Sequence, residues 1–260
     1  MNFSSLSGLI LAIVVLVGAM VSSTSNAKVF LDAHAILIVI GGTFAASLLS
    51  FSGKKMLLLT GIFFKRVLGK NNEVTTVMTE IVDLAKGYRE NEEYLKNKKD
   101  QIKTPFLKEG LELILDSGID PDDIDKILLK RSHSINHRYE EDAENFKALS
   151  KFPPAFGLLG AVIGMISLMQ GLGSADAISK VGPAMAVALV ATLYGIAVAN
   201  FIFLPLGENL SRINKIDHLV RSMVIDGIKM IRQKKHPIVV EESLKSYLLP
   251  SERQSVKKAS

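Results

Sequence analysis

The chain is predicted to be all-α, a polytopic membrane protein with four transmembrane helices and a helical cytoplasmic domain. Three observations lead there. Mean hydropathy is +0.28 although 22% of the residues are charged, so apolar and charged stretches must be segregated along the chain. Four apolar runs, Leu6–Val21, Ala33–Phe51, Phe152–Gly171 and Val181–Leu206, approach the ~20 residues that cross a bilayer. Of the 31 Lys and Arg, all but Lys28 and Lys180 lie in Ser52–Lys151 and Gly207–Ser260, which the positive-inside rule assigns to the cytoplasm. Both termini then lie inside. Residues 1–51 form the first two spans, 52–151 a cytoplasmic helical domain with an interfacial helix, 152–206 the third and fourth spans, and 207–260 a cytoplasmic tail.

The first run is slightly short, and Phe3 or Ser22–Ser23 extend it. A cleaved secretory leader is the competing reading of Met1–Ala27, disfavoured because no Lys or Arg precedes the apolar run. Asp32 heads the second span, where an anion is stabilised by the helix dipole and caps the helix; there it can also gather cations at a pore mouth. Met56–Phe64, bounded by Lys54–Lys55 and Lys65–Arg66, is too short to span and reads as an amphipathic helix lying at the membrane surface.

In the central block, Glu73–Lys98 has helical composition, and Thr104–Pro105 opens a second helix that ends at Ser117–Gly118. Asp120-Pro121-Asp122-Asp123 combines a capping Asp, a proline at the first helical position and acids at the positive dipole end. No breaker follows before Pro153, so this helix is expected to run unbroken into the third span as a rigid rod. Glu208–Gln233 reads as a helix leaving the membrane, His236–Pro237 as its break, and Val239–Leu249 as a short second element. The polar residues after Pro250 are expected to be disordered.

The third and fourth spans are unusually rich in small residues. Gly157, Gly160 and Gly164 do not form a phosphate loop, because no strand precedes them and apolar residues surround them. At this spacing glycines let helix backbones approach closely, and Ala184, Ala188, Ala191, Gly195 and Ala199 place a matching stripe on the fourth span. Close helix packing and the lining of a narrow pore explain the stripes equally well. Thr192 lies near the middle of the fourth span; its hydroxyl either bonds back to the Ala188 carbonyl or orients an ion, the latter favoured because Tyr194 and Asn200 make this span polar. Neither Phe152–Gly171 nor Val181–Leu206 contains Asp, Glu, Lys or Arg. A titrating carboxylate on this path must therefore come from a second protein.

Other clusters have plainer readings. His133, His137 and Glu141 share a helix face, but the adjoining Glu140 and Asp142 make it a solvated charged face rather than a metal site. Lys86, Arg89, Glu92 and Glu93 form a mixed-charge cluster, either surface or an electrostatic docking patch. The sequence pI of 9.2 needs no nucleic acid, since basic residues beside anionic lipid account for it. With no Cys there is no thiol chemistry, and no nucleophile, base and orienting acid converge. An enzyme is disfavoured and no cofactor is expected.

Phe152-Pro153-Pro154-Ala155-Phe156-Gly157, Val181-Gly182-Pro183-Ala184-Met185-Ala186-Val187-Ala188-Leu189, the second-span stretch Leu31–Gly42, Ile225-Asp226-Gly227 and Tyr247–Leu248 resemble the MotA/PomA family of flagellar motor stator subunits, over nearly the whole chain. The resemblance implies a bacterial inner-membrane homopentamer around two copies of a MotB/PomB-type subunit, whose single transmembrane helix supplies an essential Asp. It implies that Thr192 faces that acid, that Asp32 sits at the pore mouth, and that Pro154 and Pro205 couple ion flow to movement. Lys86 or Arg89, with Glu93, stand as provisional contacts to the rotor protein FliG, because Ala85-Lys86-Gly87-Tyr88-Arg89 departs from the usual basic stretch. Sodium-driven members look to have Thr at the positions of Ala161 and Ala191. Methyl groups there favour protons over sodium, which needs replacement oxygen ligands. The alternatives are a TolQ/ExbB-type energy transducer and a non-conducting membrane scaffold.

Overall fold

The computed structural model describes residues 3–55, 57, 59, 61, 74–115, 118–172 and 177–257, and among these the regular structure is entirely helical. In chain order the helices are α1 (Phe3–Ser23), α2 (Ala33–Ile36), α3 (Gly42–Ser50), α4 (Val74–Glu90), α5 (Tyr94–Lys98), α6 (Pro105–Leu115), α7 (Pro121–Leu149), α8 (Phe152–Gly171), α9 (Ala177–Val198), α10 (Leu204–Arg232), α11 (Pro237–Leu244) and α12 (Pro250–Lys257). The chain divides into two compact units, Met1–Lys70 with Glu140–Ser211, and Asn71–Tyr139 with Arg212–Ser260.

In the first unit, Ala27–Ser50 and the apolar parts of Pro121–Gly171 and Val181–Arg232 are long and apolar enough to cross a membrane, and α1 adds a shorter apolar segment, Ile10–Ser23. Asp32 caps α2, its Oδ1 accepting the Ala35 N–H at 2.8 Å. Between α2 and α3 lies a π turn, Leu37–Gly41. A second π turn, Ala199–Phe203, joins α9 to α10, and there the Leu204 N–H bonds to the Ala199 carbonyl. Its cause is Pro205 one residue on: a proline ring collides with the carbonyl four residues back, and a widened turn moves that carbonyl aside. The interfacial helix expected over Met56–Phe64 lies largely outside the described residues. Of its described part, Leu59 is buried with Ala143, Phe146, Leu149 and Leu210. Lys55 pairs with Asp142 at 2.9 Å and Glu141 at 3.1 Å.

Three expectations change. The rod from Asp120 does not continue unbroken: α7 ends at Leu149, Ser150–Lys151 form a turn and α8 starts at Phe152. Pro153 and Pro154 carry no N–H for the Leu149 and Ser150 carbonyls one turn before them; the Lys151 N–H bonds to the Ala148 carbonyl at 3.2 Å, and the Ser150 hydroxyl takes the Lys147 carbonyl thereby freed, at 2.7 Å. The described part of Glu73–Lys98 is two helices, Val74–Glu90 and Tyr94–Lys98: the chain turns at Asn91–Glu93 and folds the Tyr94 ring over Gly87, leaving no room there for a Cβ. After Pro250 the described residues, Pro250–Lys257, are helical rather than disordered; Glu252 accepts the Leu249 N–H at 2.9 Å and Arg253 Nε bonds to the Leu248 carbonyl at 3.0 Å.

The second unit is built around Ile81 and Leu84 of α4, Leu107 and Leu111 of α6, Leu128 of α7, Met223 and Ile228 of α10, and Leu244 of α11, all essentially inaccessible. Each such aliphatic side chain contributes roughly 1.5–3 kcal/mol on burial. Gly110 is required for this packing, since a Cβ there would stand 2.9 Å from Ile228 Cγ1. At the end of α10, Lys234 takes a left-handed φ of 49°. Its N–H bonds to the Ile231 carbonyl at 2.9 Å and that of Lys235 to the Met230 carbonyl at 3.1 Å, a Schellman closure formed without glycine. The chain is thereby turned into His236, whose Nδ1 caps α11.

Candidate functional site: the α8–α9 contact and a basic cleft

Within the first unit, α8 and α9 meet along their small residues, and the approach is backbone to backbone. A Cβ added at Gly157 would lie 2.9 Å from the Ala191 carbonyl oxygen, at Gly164 2.9 Å from that of Ala184, and at Gly195 2.5 Å from that of Pro153. At Gly160 it would lie 2.5 Å from the Ala191 methyl. Such approaches are closer than normal van der Waals contact, about 3.5–4.0 Å, so every one of these positions excludes a side chain.

The sequence-predicted residues fall around this contact. Thr192 Oγ1 lies 3.1 Å from the Ala188 carbonyl and 3.4 Å from the Gly157 carbonyl of α8, so its one proton serves either an intrahelical or a cross-helix acceptor. Ala191 is fully buried, its methyl turned onto Gly160. Ala161 and Pro154 are half-buried, Pro153 is buried, and Pro205 is exposed. Tyr194 donates its hydroxyl to the Phe30 carbonyl, pinning α9 to the turn that precedes the Asp32 cap. Ala35 and Val39 pack with Val190 and Ala191 beside it.

The second span contributes more than sequence reasoning assigned to it. A Cβ at Gly42 would overlap the Phe156 ring of α8. Thr43 and Ser47 are buried, with the Ser47 hydroxyl bonded to the Thr43 carbonyl at 2.6 Å. The signal was present as two hydroxyls four residues apart inside an apolar run.

In the second unit, Lys86, Arg89 and Glu90 of α4 with His236 and Pro237 at the start of α11 line an open cleft of about 480 Å³. Lys86 and Arg89 are three residues apart, hence on one helix face, near the C-terminal end of α4 where the dipole favours cations. Neither makes an ion pair among the described residues. Neighbouring charges are matched: Glu92 pairs with Lys234, which holds its carboxyl below the usual range, and Lys98 pairs with Asp83 at 3.4 Å. Glu93, expected with the basic pair, precedes α5 and bonds its N–H to Asn91 Oδ1 at 2.9 Å; it does not line the cleft. Glu90 and His236 do, and only the fold brings His236 to α4. His133, His137 and Glu141 assemble nothing, Glu141 being engaged by Lys55.

The profile of the MotA/TolQ/ExbB proton channel family matches residues 98–224. Motility protein A of Borreliella burgdorferi is 30% identical over 98% of this chain and 97% of its own length. Chemotaxis protein PomA of Vibrio alginolyticus is 31% identical over 97% and 98%. In the structure of the flagellar MotAB stator complex from Bacillus subtilis, one chain superposes with a TM-score of 0.86 at 28% identity, covering 97% of this chain and 98% of that one. Full-length similarity, together with a helix pair that packs on glycine and alanine and carries no charge over Phe152–Gly171 and Val181–Val198, places the chain in the MotA/PomA family of flagellar stator subunits.

Proposed function

We propose that this chain is the torque-generating stator subunit of a flagellar motor: a four-span inner-membrane protein with both termini in the cytoplasm, assembled as a homo-oligomer around a MotB/PomB-type subunit. The family resemblance makes that oligomer a pentamer. The observation that carries the reading is the α8–α9 contact, which has neither side chains to spare nor an ionisable group of its own. An ion passing beside Thr192 must be carried by a carboxylate brought from outside, and the partner's transmembrane Asp supplies it. Protonation of that Asp changes the fit of the partner helix against the third and fourth spans beside Thr192, and the π turn ahead of Pro205 gives α9 and α10 a place to yield. One charge crossing 100 mV releases about 2.3 kcal/mol, enough to bias a packed two-state interface.

Protons are the favoured ion over sodium. Ala161 and Ala191 offer no oxygen, and the Ala191 methyl is spent on Gly160, so Thr192 is the one side-chain oxygen among these three positions. Lys86 and Arg89 are the rotor-facing cations, with FliG as the protein they engage. The test is motor speed in cells while the proton and sodium gradients are varied separately, with and without the partner's Asp changed to Asn. Speed should follow the proton gradient, and the Asn variant should assemble and generate no torque. Torque that survives the Asn substitution contradicts the scheme, and speed that tracks sodium reverses the ion assignment.

A further inference from the structure

We infer that α11 supplies the apolar half of the rotor-docking surface, and that the segment docking there is acidic and amphipathic; this rests on the rotor reading of Lys86 and Arg89. Immediately after the cleft-lining His236 and Pro237, Ile238 and Val239 are 64% and 53% exposed, while Val240 and Leu244 of the same helix are fully buried on the core. The first turn of α11 thus holds two aliphatic side chains in water beside two cations that have no ion-pair partner among the described residues. Two adjacent exposed aliphatic side chains rimmed by charge form an apolar step that a protein contact would cover, and among the described residues Glu90 is the one carboxylate lining the cleft, which leaves Lys86 and Arg89 in excess. A partner matching this surface presents carboxylates to Lys86 and Arg89 and apolar side chains to Ile238 and Val239. Anionic lipid is the weaker match, because its recognition takes clusters of about four to eight Lys or Arg and here two cations line a concave cleft.

The test uses the full complex of this chain with its MotB-type partner, purified in detergent, and measures its binding to the purified rotor protein. Lys86→Glu with Arg89→Glu, and separately Ile238→Ser with Val239→Ser, should each weaken binding about ten-fold or more, with ion conduction unchanged in either variant. All four side chains are exposed, and an unchanged melting temperature confirms that each variant is folded. If the charge reversals weaken binding and the serine pair does not, the inference about α11 fails while the rotor reading stands. If neither variant changes binding, the rotor reading fails as well. If the serine pair instead loses binding to vesicles containing anionic lipid with rotor binding intact, the apolar pair is a membrane contact and the inference is overturned.

Discussion

The α8–α9 contact can be tested with a methyl group moved across it. Gly160→Ala places a carbon 2.5 Å from the Ala191 methyl, about 1 Å inside normal contact, so the two helices must part or tilt by about that much. Overpacking of this kind costs about 1–3 kcal/mol. Ala191→Gly alone removes a buried methyl and adds a helical glycine, costing about 1–2 kcal/mol. Combined, the two substitutions exchange the methyl between partners and conserve volume, so the double variant should recover a coupling energy of about 1–2 kcal/mol. Gly195→Ala is the control. Its methyl meets the Pro153 carbonyl oxygen at 2.5 Å, and no side-chain truncation can relieve a collision with backbone.

The measurement is the melting temperature of the detergent-purified complex for the four members of the cycle, with swimming rate alongside. The expected order is wild type, then the double variant, then each single variant, with swimming following the same order. If the single effects add within about 0.3–0.5 kcal/mol, Gly160 and Ala191 do not meet and the close approach is wrong. Rescue of Gly195→Ala by trimming a side chain would equally contradict a backbone contact at Pro153.

Other outcomes follow from single residues. Thr192→Val keeps shape and loses a hydroxyl whose net worth is about 1 kcal/mol; melting should shift little while motor speed falls, and unchanged speed would reduce Thr192 to a packing residue. Tyr194→Phe strands the Phe30 carbonyl and should cost about 1 kcal/mol, read as a lower melting temperature of the complex; no change would place that hydrogen bond outside the energetics. Burial, and the hydrogen bond it donates to Asp226 at 2.6 Å, raise the Tyr247 phenol above its ordinary 10.0. The folded state therefore holds the proton more tightly, and the contribution is full below pH 10.0 and lost as pH rises beyond it. Tyr247→Phe should be less stable than wild type near neutrality, with the gap closing in alkali; a gap constant with pH would mean that the phenol does not titrate differently on folding.

Those features that one helix or one bilayer decides were legible from residues alone. Spans had to be near 20 apolar residues because hydrocarbon admits nothing else. Asp32, Thr104–Pro105 and Asp120–Pro121 announced helix starts because the orphan N–H groups there need a local acceptor. The glycine and alanine stripes allowed close helix packing or a narrow pore lining equally, and the backbone approaches at Gly157, Gly164 and Gly195 show the packing. What tertiary contact decides was not legible. Within Glu73–Lys98 the break falls at Asn91, whose side chain accepts the Glu93 N–H, an Asx turn that competes with the helix; the Tyr94 ring that then closes on Gly87 is a tertiary contact no composition shows. No glycine marked the turn at Lys234, since its Schellman hydrogen bonds, formed once the fold turns the chain there, hold a lysine in a conformation that lysine rarely chooses. The Leu37–Gly41 π turn has no signature at all, whereas the Ala199–Phe203 turn could have been inferred from Pro205, whose ring demands a displaced carbonyl.

The division between legible and illegible parts also separates two kinds of work. The α8–α9 contact is short-ranged and neutral: its atoms stand so close that a sub-ångström shift must move whole helices, yet it has no charge through which a membrane potential could act. Whatever moves it must carry its own charge, which is the physical reason the proposed function calls for a partner acid beside Thr192. The basic cleft has the opposite character. In the proposed docking its cations act over a Debye length of about 8–10 Å and orient a partner before contact, while Ile238 and Val239 act only once water has been expelled. Raising ionic strength should therefore slow docking to the cleft and leave the α8–α9 contact untouched, so torque and conduction must separate under salt. If they fall together, the charge in the cleft is not what engages the rotor.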